Sequence, residues 1–146
     1  MIVITGASDG LGLQIAKVFA ESGATVVNVS RTECEYASVT IKTDLHSDKD
    51  IQSTARQIGQ MSDPIDALIN CAGVLSFQKV GSITPMWGEM DDKYKSKMAS
   101  GHLIGRWIEP SEIADGIVFL AKNDAVCGEI LVIDGGMSLK VVNDND

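Results

Sequence analysis

The stretch Ile2-Val3-Ile4-Thr5-Gly6-Ala7-Ser8-Asp9-Gly10-Leu11-Gly12 decides the fold of this 146-residue chain. A short apolar strand runs into glycines spaced G-x-x-x-G-x-G, and a helical pattern follows. Gly6 permits a tight turn, Gly10 removes a Cβ that would keep a ligand from the backbone, and Gly12 lets helix and strand pack closely. Free N–H groups at the start of the helix favour a diphosphate. The stretch predicts a dinucleotide-binding turn, with an ordinary strand–helix connection as the alternative.

Strands and helices alternate along the rest of the chain. Strands are predicted at 2–5, 25–29, 39–41, 65–69 and 129–133, and helices at 10–22, 47–58 and 110–122, with a less regular helix between Met86 and Met98. Ser47 is the expected N-cap of the second helix. The apolar strand at 65–69 is expected to be buried on both faces.

This alternation predicts an α/β fold, a Rossmann-like doubly wound parallel sheet that is shortened to about five strands. Residues 1–140 are expected to form a single domain, and 141–146 a polar tail. Ligands of such sheets bind beyond the carboxyl ends of the strands. The glycine turn, Asp44 and the segment 70–73 all follow strands, so we expect them to line one crevice.

Bulk composition restricts the classes of partner. The net charge of −8 argues against nucleic acid and anionic membranes as partners. The three cysteines, Cys34, Cys71 and Cys127, are odd in number and lack the spacing of metal ligands, so we expect reduced thiols and no metal site. With no basic leader and no apolar run of membrane-spanning length, the chain is expected to be cytoplasmic.

The glycine turn with Thr5 ahead of it resembles that of the short-chain dehydrogenase/reductase family. Other stretches are similar to family motifs and come in the same order: Asp44-Leu45, Asn70-Cys71-Ala72-Gly73, Gly105-Arg106 with Pro110-Ser111-Glu112-Ile113-Ala114, Phe119-Leu120-Ala121, and Ile133-Asp134-Gly135-Gly136. Cys71 replaces the second Asn of the family's N-N-A-G turn. Agreement at this many positions is far more specific than one motif.

The resemblance implies an oxidoreductase that binds a nicotinamide dinucleotide and acts on a small apolar carbonyl or alcohol. It implies that the carboxylate of Asp44 contacts the adenine amino group. The cofactor-binding residues that it implies are Thr5, Gly6, Ser8, Asp9, Gly10, Leu11, Gly12, Arg31, Asp44, Leu45, Asn70, Ala72 and Gly73.

Arg31 bears on the choice of cofactor. It follows the second strand, where a cation would neutralise the 2′-phosphate of NADP and a carboxylate would bind the ribose diol of NAD. No acid stands at the strand end, although Glu33 is near, and Asp9 occupies a position where the family's NADP enzymes have a basic residue. NADP is therefore the expected cofactor and NAD the second choice. A solvated surface arginine is the alternative.

The family's catalytic residues are not found. They are a Ser and a Tyr-x-x-x-Lys pair on one helix, and the chain contains no Y-x-x-x-K. The resemblance to the loop before the family's central helix ends near Thr84, and from Pro85 the sequence resembles the family's substrate lid. Tyr94 and Lys97 are the only substitutes, and they are weak candidates because this stretch reads as a charged, solvated helix. His46 and His102 are expected at the surface or in turns rather than as catalytic bases.

Loss of the central segment would leave the strand at 65–69 as an exposed apolar edge. We expect the strand at 129–133 to move beside it and give the order 3-2-1-4 plus the last strand. A second chain forming a homo-oligomer is the alternative cover, and the usual tetramer of the family is not expected.

Several functions remain open on sequence alone. The first is a dinucleotide-binding protein with impaired catalysis. The second is a competent NADP-dependent oxidoreductase whose site is completed by a partner chain or by Tyr94 and Lys97. The third is an interaction isoform that pairs with full-length relatives. Natural deletion, splicing, engineering and incomplete representation of a longer enzyme would all produce this sequence.

Overall fold

A computed structural model describes residues 1–73 and 92–139 of the chain. Four strands form one sheet: β1 (Ile2–Thr5), β2 (Val26–Ser30), β3 (Val39–Lys42) and β4 (Ala67–Asn70). The helices are α1 (Gly10–Glu21), α2 (Asp48–Gly59), α3 (Asp92–Ala99) and α4 (Pro110–Lys122), and a short 3₁₀ turn spans Met137–Leu139. None of the helices in these ranges is both long enough and apolar enough to cross a membrane.

The sheet is parallel and has the order β3-β2-β1-β4. Thr5 at the end of β1 pairs with Val29 of β2 and Asn70 of β4, so these three strands end at nearly the same level. The predicted order 3-2-1-4 and the doubly wound parallel class are both confirmed. Because parallel strands share one carboxyl edge, the segments that follow them are brought together there.

Two apolar clusters cover the two faces of the sheet. On one face, Ile4 and Val26 pack with Ile15 and Phe19 of α1 and with Ala114 of α4, which lies alongside α1. The cluster on the other face contains Val3, Val27, Val29 and Ile41, against which Ile58 and Met61 pack. Strand β2 is buried along its whole length because neighbouring strands and both clusters enclose it.

The start of α4 is fixed by a charged fork. The Arg106 guanidinium donates from Nη1 to Glu112 Oε2 at 2.7 Å and from Nη2 to Glu112 Oε1 at 2.8 Å. Glu112 Oε2 also accepts from the backbone N–H of Glu109, 2.8 Å away. These bonds lower the pKa of Glu112 to about 2, and the bond with Arg106 contributes most. The carboxylate is therefore charged at neutral pH. The fork holds the turn before α4 against its first helical turn.

Two expectations about the sheet edge are wrong. Strand β4 is not buried on both faces, since Leu68 is 60% exposed. Residues 129–133 form no strand, and the described part of the chain has four strands instead of about five. The physical reason lies at Gly116 of α4, where a Cβ would stand 2.2 Å from Ile133 Cδ1. Ile133 thus packs on α4 in the space that this glycine leaves.

Other predictions agree or fall outside the described ranges. Ser47 caps α2 as expected, accepting from Asp50 N at 3.3 Å. The helix predicted between Met86 and Met98 is described only as α3, and its earlier part lies outside these residues. The junction near Thr84–Pro85 and the tail at 141–146 also lie outside them.

Substitution of Gly12 by alanine is expected to cost at least about 3 kcal/mol of folding free energy, the upper end for an overpacked site. A Cβ there would stand 2.2 Å from the carbonyl oxygen of Gly6, and backbone cannot turn aside as a side chain can. Urea unfolding measures the effect. Gly59→Ala is the matched control, because a Cβ at Gly59 meets nothing within 4 Å. Equal stability of the two variants would contradict the close approach.

Candidate functional site

Thr5 ties the ends of three strands together. Its Oγ1 accepts from the backbone N–H of Cys71 at 3.0 Å and of Ala72 at 3.1 Å, which fixes the turn after β4 to the end of β1. The next residue, Gly6, donates its N–H to Val29 O of β2 at 2.9 Å. These bonds hold the ends of β1, β2 and β4 together at the edge of the sheet where the sequence predicts a crevice.

Gly6 and Gly12 pack against backbone atoms so closely that no side chain would fit at either position. Gly6 has φ +72°, and a Cβ on it would lie 2.8 Å from Ala72 Cα. Gly12 has no such φ but sits against the Gly6 carbonyl, as described above. Gly10 has φ +55°, in the left-handed region that favours glycine. The turn is thus packed so tightly that only glycine fits at two of its positions, and its glycine spacing with the adjoining helix start fits a dinucleotide.

Asp9 is the N-cap of α1, a role not foreseen when it was counted among the cofactor-binding residues. Its Oδ1 accepts from Gly10 N at 2.7 Å. The next helical bond runs from Leu13 N to Asp9 O at 3.2 Å. The N–H groups of Leu11 and Gly12 lie between these two bonds, and they are the donors that this helix terminus can offer to an anion.

The turn that carries Arg31 is held by hydrogen bonds from two buried side chains. Thr32 O accepts from Asn28 Nδ2 at 3.0 Å and from Ser30 Oγ at 2.7 Å. Asn28 is fully buried, and its Nδ2 also donates to Thr40 Oγ1 at 3.2 Å. Sequence reasoning missed this role, although an asparagine inside a β-branched strand was the signal. Arg31 itself is exposed at the strand end, as predicted.

Glu33 does not stand alone beside Arg31. Its Oε1 lies 3.1 Å from the Nζ of Lys42, the last residue of β3. The hydrogen bond with Lys42, and then that with Thr40, lower the pKa of Glu33. The acid that weakened the sequence argument for NADP is therefore paired with a cation.

Asp44 follows β3 and is charged at neutral pH. The backbone N–H of His46 donates to Asp44 Oδ1 at 3.0 Å, and the His46 ring lies 3.3 Å from the same oxygen. These bonds lower the pKa of Asp44, and the positive charge of Arg31 lowers it further. Just before it, buried Thr43 shares a 2.7 Å hydroxyl hydrogen bond with Thr54 of α2. That bond fixes the end of β3 on which Asp44 and the exposed Leu45 are carried.

The turn after β4 completes the crevice. Asn70, Ala72 and Gly73 are exposed at the strand end, with Ala72 against Gly6. Burial raises the pKa of the Cys71 thiol, so it stays protonated at neutral pH. The structure thus brings the glycine turn, the Arg31 turn, Asp44 and the 70–73 turn to one edge of the sheet.

The weak catalytic candidates belong to a different part of the chain. Tyr94 and Lys97 are both on α3, where Lys97 is exposed, while the side chain of Tyr94 is outside the described part. Helix α3 is attached to the turn before α4, since Trp107 Nε1 donates to Lys95 O at 3.1 Å. His102 lies in that turn, as expected, but is buried, with its ring 5.8 Å from that of Trp107. His46 is at the surface.

Replacement of Thr5 by valine removes the acceptor for two backbone N–H groups at nearly constant volume. We expect a loss of about 1–2 kcal/mol in the free energy of unfolding, because each net hydrogen bond is worth about 0.5–1.5 kcal/mol. Urea denaturation measures it. Thr5→Ser keeps the hydroxyl and is expected to stay within about 0.5 kcal/mol of the parent, as mild substitutions do. If serine and valine destabilise alike, the hydroxyl does not hold the β4 turn.

Comparison with known proteins agrees with this geometry. The sequence profile of the short chain dehydrogenase family matches residues 1–93. The uncharacterized oxidoreductase YxnA of Bacillus subtilis is 28% identical over 141 residues, an alignment covering 82% of this chain and 39% of that protein. The chain spans only 23% to 39% of the length of the first curated relatives that it matches.

Solved structures show the same fold. Ligand-free aldohexose dehydrogenase of Thermoplasma acidophilum superimposes with a TM-score of 0.85 at 19% identity, covering 99% of this chain and 96% of that one. ElxO with NADP bound has a TM-score of 0.79 at 16% identity, with 95% and 98% covered. With a profile match over more than half of its residues and this sheet, the chain belongs to the short-chain dehydrogenase family of oxidoreductases.

Proposed function

We propose that this chain binds NADP(H) in preference to NAD(H) at the carboxyl edge of β1, β2 and β4, and that it transfers hydride slowly or not at all. The observation that carries the proposal is the close backbone packing of Gly6 and Gly12, which sets the start of α1 at the end of β1. The cofactor supplies hydride chemistry when bound. The chain's own contribution is to hold its diphosphate, adenosine and nicotinamide in place.

The diphosphate would meet the N–H groups of Leu11 and Gly12. They are oriented by the helix that Asp9 caps, and the positive end of the helix dipole adds to their attraction. The Asp9 carboxylate opposes this attraction, but it already accepts from Gly10 N and is partly offset by the same dipole. The anion site is therefore built from backbone and does not depend on a basic side chain.

The adenosine end would lie over the ends of β2 and β3. Arg31 is the cation placed to neutralise a 2′-phosphate, and Ser30 ahead of it presents no carboxylate to compete. The acid nearby, Glu33, is paired with Lys42. Asp44, ionised at neutral pH, can accept a hydrogen bond from the adenine amino group, with Leu45 beside it. The fold neighbour ElxO, whose structure holds NADP, supports this choice of cofactor.

Catalysis is the step for which the residues are not found. The chain has two tyrosines, Tyr36 and Tyr94, and the residues four positions later are Thr40 and Met98 instead of lysine. Without a lysine to lower its pKa, a tyrosine is a poor general acid and base near pH 7. Tyr94 with Lys97, three residues apart on α3, is the alternative pair for reduction of a small apolar ketone.

Arg31→Ala is expected to weaken NADPH binding about tenfold or more, because hydrogen bonds to charged groups are worth about 1.5–3 kcal/mol. NADH affinity should change less than about twofold, since NADH has no 2′-phosphate. Titration followed by nicotinamide fluorescence measures both. Arg56→Ala, on exposed α2, makes the same change in net charge and serves as the control. An equal loss for both cofactors, or saturable binding of neither, would overturn the proposed binding mode.

Turnover is expected to stay at the uncatalysed background when NADPH oxidation is followed with a panel of small apolar ketones. The reason is the absence of a Tyr-x-x-x-Lys pair. Stereospecific hydride transfer above background would refute impaired catalysis. In that case Tyr94→Phe, with Tyr36→Phe as its control, decides whether α3 supplies the acid. Unchanged activity in both variants would exclude the tyrosines.

A further inference from the structure

Lys42 and Glu33, which follows Arg31 by two residues, form an ion pair to which the binding proposal gives no contact with the cofactor. Lys42 ends β3 and is in register with Ser30, the last residue of β2. Residues in register on parallel strands project to the same side of the sheet, so the stem of Lys42 rises beside Ser30. Its Nζ lies 3.1 Å from Glu33 Oε1, and both side chains are mostly exposed, at 67% and 70%.

Both partners of this pair start from fixed backbone. Glu33 directly follows Thr32, whose carbonyl is held by Asn28 and Ser30. Lys42 is anchored by the β2–β3 ladder, in which Ser30 O accepts from Thr43 N at 2.9 Å. Arg31 stands on the other side of Thr32. Two cations and one carboxylate are therefore presented together at the ends of β2 and β3.

We propose that Lys42 is a second cationic contact for the 2′-phosphate of NADP(H), and that Glu33, by holding the Lys42 ammonium, sets how strongly the chain discriminates NADPH from NADH. This inference rests on the proposed binding of the adenosine ribose at the end of β2. It assigns a specificity role to two residues that no sequence motif identifies.

The physical basis is a competition between two anions for one ammonium. A phosphate monoester carries about −1.5 to −2 charges near neutral pH. When it enters, Lys42 exchanges one carboxylate for a more highly charged group, and Glu33 is left facing that group. The carboxylate thus opposes NADPH twice, by occupying Lys42 and by repelling the phosphate. NADH presents only hydroxyl groups there, so its binding is insensitive to the pair.

The test measures the dissociation constants of NADPH and NADH for the parent chain, Glu33→Gln, Lys42→Met and the double variant. We expect Glu33→Gln to tighten NADPH about two- to fivefold and Lys42→Met to weaken it by about the same factor, which is the range of exposed ion pairs. The double variant should gain less over Lys42→Met than Glu33→Gln gains over the parent chain, because only the direct repulsion by Glu33 is then relieved. NADH should stay within about twofold throughout, and the NADPH gain should shrink at about 1 M salt, where screening is strong.

Glu35→Gln and Lys49→Met are the controls, because they make the same charge changes at exposed positions. The fragments 2′,5′-ADP and 5′-AMP repeat the comparison without the nicotinamide. Circular dichroism melting of each variant checks folding, and Lys42→Gln replaces Lys42→Met if the latter is unfolded.

The outcomes separate this inference from the binding proposal. If Glu33→Gln leaves the ratio of NADPH to NADH affinity unchanged while Arg31→Ala lowers it, the pair has no role but the cofactor site stands. A gain of undiminished size in the double variant would show repulsion by Glu33 alone and would overturn the contact with Lys42. A parent chain that binds neither cofactor would defeat both proposals.

Discussion

The close approach between Gly12 of α1 and the carbonyl of Gly6 is the constraint on which the site depends. Only a hydrogen fits between them. That contact fixes the height and direction of α1 over β1, and so places the start of the helix at the end of the strand. Thr5 then fixes the turn after β4 at the same point. The crevice results from packing, and no flexible side chain is needed to form it.

The carboxylates around the proposed site share one electrostatic feature. Although the chain carries eight net negative charges, three carboxylates near the strand ends each have a partner. Asp9 accepts from the helix terminus, Glu33 from Lys42, and Asp44 from His46. Such bonds lower the cost of gathering negative charge where an anion is to bind. For Glu33 the same bond engages the lysine proposed to meet the 2′-phosphate, so it also limits the proposed binding of NADPH.

The sequence predicted the features that depend on short-range patterns. The spacing of apolar residues located β1 to β4, α1, α2 and α4, and the turns after the strands indicated which segments meet. Packing between segments that are distant in the sequence was not predicted. The position of Ile133 on α4 depends on the lack of a side chain at Gly116. The exposure of Leu68 depends on whether another segment packs against the edge strand β4. The anchoring role of Asn28 depends on a turn four residues later, and the catalytic question falls mainly outside the described residues.

Cys71 has a backbone N–H group at the proposed site and a thiol that burial makes less reactive. Its backbone N–H is bound by Thr5 in the wall of the crevice, whereas burial keeps its sulfur protonated. Oxidants and electrophiles attack the thiolate, and a thiol held in its neutral form reacts slowly. The sulfur atom of Cys71 can thus lie beside the proposed redox cofactor without taking part in the reaction. At the position of the family's second asparagine this chain therefore carries a thiol that burial makes less reactive.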